Sequence, residues 1–76
     1  MPHIIMKIAI GKSDAEKIEL AQALTAAVIS TIMCDERFVS VAIEDVEVAD
    51  WMEKVYQPEI VSKSGLIYKQ PEYDPE

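Results

Sequence analysis

Apolar and polar positions alternate near the start of the chain. Ile4, Met6, Ile8 and Ile10 fall on one face, and His3, Ile5, Lys7 and Ala9 on the other. A period of two predicts a β-strand over residues 3 to 10, with one face wholly apolar and the other mixed. Pro2 lies in register with Ile4 and Met6. Gly11-Lys12-Ser13-Asp14 then breaks the strand. Ser13 followed three residues later by Glu16 is a capping-box pattern, and Asp14 and Glu16 suit the positive end of a helix dipole. A helix is predicted from about residue 14. Ile18, Ala21, Leu24, Val28 and Ile32 recur at spacings of three and four, flanked by Leu20, Ala27 and Ile29. That stripe makes an amphipathic helix of roughly five turns, ending before Cys34-Asp35.

After the acidic turn Asp35-Glu36-Arg37, Val39, Val41 and Ile43 alternate with Ser40, Ala42 and Glu44. Their β-branched content predicts a second strand. A long helix between two strands gives a β-α-β unit with parallel strands and a right-handed crossover. From Val46 the pattern changes. Asp50 stands where it would cap a short helix carrying Trp51, Met52, Val55 and Tyr56, which Pro58 ends or kinks. A second helical segment is predicted from about Pro58 through Ile60 and Val61, with Gly65 weakening any continuation to Leu66, Ile67 and Tyr68. The tail from Gln70, with Pro71, Tyr73 and Pro75, reads as extended or irregular, and Tyr68 and Tyr73 are candidates to cover a neighbouring subunit. The fold class expected is α+β, with residues 1–76 as one domain. A two-stranded sheet is not independently stable, and its open edges invite pairing. Two copies are therefore expected to join their sheets across a subunit interface.

Composition narrows the functions. A chain of 76 residues buries only roughly 60% of the surface that its unfolded form exposes, so its own core is thin. Fourteen acidic residues against seven basic ones give a net charge of -7. Such a surface repels a phosphate backbone and an anionic membrane, so neither nucleic acid nor membrane is an expected partner. Cys34 is the only cysteine, which permits no intrachain disulfide or cysteine metal cluster and fits a reducing, cytoplasmic location. His3 is the only histidine; it reads either as a strand residue with one wet face or as a catalytic group, and a His-based metal site lacks ligands. Lys7 interrupts the N-terminal apolar run before it reaches signal-peptide length, so no export signal or membrane span is expected.

Pro2 is the candidate with the most specific chemistry. Once an aminopeptidase removes Met1, Pro2 becomes an N-terminal secondary amine at the head of an apolar strand. An α-amino group titrates near 8 in the reference state, roughly the closest to neutrality of the common amines, and apolar surroundings lower it further. A group so poised suits general acid-base catalysis. The alternative is an ordinary second residue that only promotes removal of Met1. Lys12 reads either as a solvated loop residue or as an anion anchor beside a helix N-terminus. Arg37, the only arginine, either pairs with neighbouring acids or reaches a substrate carboxylate. Trp51 reads as core packing or as a pocket wall.

Met1-Pro2, the alternating strand, Gly11-Lys12-Ser13-Asp14, the long helix and Val39-Ser40-Val41-Ala42-Ile43 together resemble the 4-oxalocrotonate tautomerase family over about the first 45 residues. The part from Val46, with Asp50-Trp51, Tyr56, Glu59-Ile60, Tyr68-Lys69, Pro71 and Tyr73, is similar to the longer bacterial members, which are dimers where the shortest members are hexamers. The resemblance implies a tautomerase-like β-α-β unit and a cofactor-free enol-keto tautomerisation of a small 2-hydroxy-enoic or 2-keto acid, with the mature Pro2 nitrogen as base and then acid. Lys12 stands where the family has a carboxylate-binding arginine, and supplies the charge without a bidentate fork. Trp51 falls near the family's pocket-lining aromatic. The family's second arginine corresponds here to Ala42, so its oxygen-polarising role has no evident occupant; Arg37 lies five residues away. This departure points from a dicarboxylate toward a monocarboxylate enol such as phenylenolpyruvate. The competing readings are a non-catalytic oligomeric binding module, and hydration or dehalogenation of an unsaturated acid on the same base.

Overall fold

A computed structural model describes residues 1–73; Pro75 of the expected tail lies outside the described residues. Strand β1 spans His3–Ala9, helix α1 spans Asp14–Ile32 and strand β2 spans Ser40–Val46. The strands pair in parallel, from His3 opposite Ser40 to Ala9 opposite Val46. The ladder is extended at both ends, where Ser40 N–H donates to the Pro2 carbonyl at 3.2 Å and Ile10 N–H to the Val46 carbonyl at 3.1 Å.

The helix starts as its capping box dictates. Glu16 N–H donates to Ser13 Oγ at 3.1 Å, and Ser13 N–H donates to Glu16 Oε1 at 2.9 Å. Between β1 and this cap, Gly11 turns the chain at φ +127°, a region that side chains disfavour. At the other end Met33 takes a left-handed conformation and returns its N–H to the Ile29 carbonyl at 3.0 Å. A short 3-10 turn, Glu36–Phe38, then leads into β2.

The alternation sorts the sheet into two faces. Ile8 faces α1 beside Leu20 and Ala23, and Val41 faces it beside Ala21 and Ile29. Lys17 on the helix reaches Asp45 on β2 at 2.7 Å. Ile5 and Lys7 face the other way, toward Trp51, Val55 and Ile60. The predicted helical stripe is only half covered, since Leu20, Leu24, Val28 and Ile29 are half-buried while Ile18 and Ile32 stay exposed. Among the described residues, Val46 and Val55 are the fully buried hydrophobics. The Cα radius of gyration is 13.9 Å, against about 11 Å for a compact domain of this length. One copy is a thin slab.

The C-terminal part departs from expectation in two ways. Asp50 ends a 3-10 turn, Val48–Asp50, and pairs with Lys54 at 3.4 Å instead of capping a helix; Trp51 at the cap position makes no side-chain cap bond. Pro58 does not end the helix. Met52–Val61 runs across it as one π-helical segment, with Ser62 N–H donating to the Gln57 carbonyl at 2.9 Å. Proline brings no N–H, and its ring collides with the carbonyl four residues back in an α-helix; the wider turn relieves that collision. Tyr73 folds back on its own chain, its ring 5.8 Å from that of Tyr56, whereas Tyr68 is fully exposed. A last 3-10 turn, Ser64–Leu66, follows the π-helical segment.

Candidate active site

Parallel pairing decides which candidates share an end of the sheet. Pro2 is half-buried at the head of β1, with its carbonyl already in the ladder. Met1 is 98% exposed, so packing does not hold it in place. While Met1 is attached, the Pro2 nitrogen is a tertiary amide without basicity; its removal frees the secondary amine. Beside it His3 Nδ1 lies 2.6 Å from Ser40 Oγ, across the first register pair. Arg37 stands three residues before Ser40, at this same end of the sheet. Its guanidinium lies 4.7 Å over the Phe38 ring and 3.9 Å from Asp35, in open solvent.

Lys12 stands at the opposite end. The run from Pro2 to the turn after β1 is about 25 Å at the rise of an extended strand, so one copy does not bring these two residues together. Lys12 borders a cavity of about 480 Å³ on the α1 side, lined also by Ile8, Glu16, Lys17, Glu19 and Leu20. Its charge helps hold the Glu16 carboxyl below the usual range, after the larger effects of the Ser13 backbone N–H and hydroxyl.

Trp51 is on the other face of the sheet. It lines a groove of about 420 Å³ with Ile5, Lys7, Val55, Glu59, Ile60 and Lys63. Its indole N–H is not free, because it donates to the Tyr73 hydroxyl at 3.0 Å. In the same groove Glu59 accepts from Lys63 at 3.1 Å and from Lys7 at 3.3 Å. The Lys63 bond first, and the Lys7 bond next, keep the Glu59 carboxyl below its ordinary pKa.

Lys7, Glu59, Lys63 and the phenol of Tyr73 were not among the site residues expected from sequence. Two signals for them exist in the chain: a lysine within an otherwise apolar strand, and a Glu-Lys pair four residues apart. Neither says that the two meet.

No protein-family profile matches the chain. Individual relatives do. A probable tautomerase of Xylella fastidiosa is 47% identical over 73 residues, spanning 96% of this chain and 89% of the relative. Tautomerase PptA of Cronobacter sakazakii is 32% identical over 75 residues, 97% of this chain and 99% of the relative. Among solved structures, TomN, a 4-oxalocrotonate tautomerase homologue of the tomaymycin biosynthetic pathway, superposes with a TM-score of 0.64 at 32% identity, covering 66% of this chain and 77% of its own. The likeness thus holds in fold as well as in sequence, and the chain belongs to the 4-oxalocrotonate tautomerase family of isomerases.

Proposed function

We propose that the chain is a cofactor-independent enol-keto tautomerase of small 2-hydroxy-enoic and 2-keto acids, with Pro2 as its base. The observation that carries this reading is the placement of Pro2: a half-buried residue at the head of β1, next to a methionine that is almost fully exposed. A neutral amine there takes the proton from the enol hydroxyl or from the carbon beside a carbonyl. It then returns that proton to another carbon, so one group serves as base and acid in turn. Phenylenolpyruvate is the substrate that best suits apolar walls and a single anchored carboxylate.

The other roles follow from position. Lys12 sits too far along β1 to serve the Pro2 of its own copy, so it anchors a carboxylate from a neighbouring subunit. Trp51 supplies an apolar wall, and Arg37 is the cation at the Pro2 end of the sheet. Assembly is supported by the thin core and by the exposure of Ile18, Val48 and Leu66; a dimer is the favoured assembly, with a hexamer as the alternative.

Intact mass of the natively expressed protein, combined with ketonisation assays of Pro2→Ala, tests the proposal. The expected result is loss of Met1 and a fall in kcat of about 10²- to 10⁴-fold for the variant, with unchanged oligomer mass. An active enzyme that retains Met1, or a variant as active as the parent, overturns it.

A further inference from the structure

The groove beneath Trp51 already holds a carboxylate, and that carboxylate belongs to the protein. Glu59 lies between two ammonium groups, Lys63 at 3.1 Å and Lys7 at 3.3 Å. Counting these three groups, the groove carries one net positive charge in a chain of net charge -7. Around them the walls are apolar: Ile5 from β1, and Trp51, Val55 and Ile60 from the segment above. Lys7 is the more enclosed cation, with its side chain 26% exposed against 52% for Lys63. An ammonium on an apolar wall is less screened than one in open water, so it discriminates more strongly between an anion and a neutral group.

We infer that the Trp51 groove is a binding site for a small carboxylate with an aryl or alkyl body, anchored by Lys7 and Lys63, with Glu59 as a resident counter-ion that the ligand carboxylate displaces. The apolar body of the ligand packs on Trp51, Val55 and Ile60 while its carboxylate takes over the hydrogen bonds that Glu59 holds. Glu59 is itself 37% exposed and swings out into water when displaced. The site is built by one copy and needs neither Lys12 nor the cavity on the α1 side. It goes beyond the tautomerase reading, whose carboxylate anchor is Lys12, and rests on that reading only for the identity of the natural ligand.

Two opposed substitutions give the inference its test. Trp51 is the only tryptophan and lines the groove, so its fluorescence reports occupancy. The assembled protein is titrated with 3-phenylpropionate and, separately, with the neutral 3-phenylpropanamide. The acid should bind at least about tenfold more tightly than the amide. Lys7→Met, which keeps the length of the stem, should weaken the acid about tenfold, while Glu59→Gln, which removes the competitor, should tighten it about threefold. Lys69→Met, at a cation outside the groove lining, should leave the affinity unchanged, and the titration involves no turnover, so a failure of the Pro2 chemistry is read separately from a failure here. Equal binding of acid and amide overturns the inference. So does weaker acid binding by Glu59→Gln, the outcome if the Lys7–Glu59 pair only holds the groove together, or a loss in Lys69→Met equal to that in Lys7→Met. Circular dichroism of each variant confirms that the comparison is between folded proteins.

Discussion

Trp51 donates its indole N–H to the hydroxyl of Tyr73 at 3.0 Å, which fastens the C-terminal tail to the wall of the groove. The Tyr73 ring also rests on Tyr56 at an angle of 54°. Tyr73→Phe keeps the ring contact and removes the acceptor. The expected loss of stability is at most about 1 kcal/mol, with a red shift of Trp51 emission as the freed indole turns to water. An unchanged spectrum would show that this bond does not order the tail in solution.

The start of α1 depends on a reciprocal pair of bonds between Ser13 and Glu16. Ser13→Ala should cost about 1 kcal/mol in urea denaturation and Ser13→Gly only a few tenths. Equal losses for the two would mean that the hydroxyl is not the stabilising element.

The two glycines should respond differently to alanine. Gly11 sits at φ +127° with open space around it, so Gly11→Ala meets strain without a clash; about 1–2 kcal/mol of destabilisation is expected. Gly65 has equally open surroundings and no positive φ, so Gly65→Ala should be neutral or stabilising by up to about 1 kcal/mol. Thermal melts of both variants decide this.

Glu59 gives the groove a pH dependence of known sign. Lys63 and then Lys7 lower its folded pKa from an ordinary value of 4.5. Its contribution is therefore complete above that ordinary value and disappears as the pH falls through the lowered folded value. The stability difference between the parent and Glu59→Gln should be larger at about pH 6 than at about pH 3. A difference that grows on acidification would contradict the pairing.

Much of this architecture can be read from side-chain periodicity. The alternation about Ile4, Met6 and Ile8 and about Val41 and Ile43 marks both strands, and Ser13 with Glu16 marks where the helix begins. These signals are local, so tertiary context did not need to be known. The segment from Met52 to Val61 is different, because Pro58 reads as a stop and the groove positions Trp51, Val55 and Ile60 recur at four and then five residues, which fits neither an α-helix nor a strand. The pairing of Lys7 with Glu59 spans 52 residues, and no spacing rule reaches that far. Pro2 was legible as a candidate from its neighbour Met1. Its separation from Lys12 along β1 becomes evident only once the strand is drawn out.

The π-helical turn also sets the phase of everything that follows it. Each residue advances an α-helix by about 100° and the wider π-helix by less, so rewinding Met52–Val61 as an α-helix at unchanged length would rotate Glu59, Ile60 and Lys63 away from β1 together. Substitutions within this stretch change one side chain at a time, but a change of winding would dismantle the whole groove at once. The segment is therefore constrained by its winding as well as its composition.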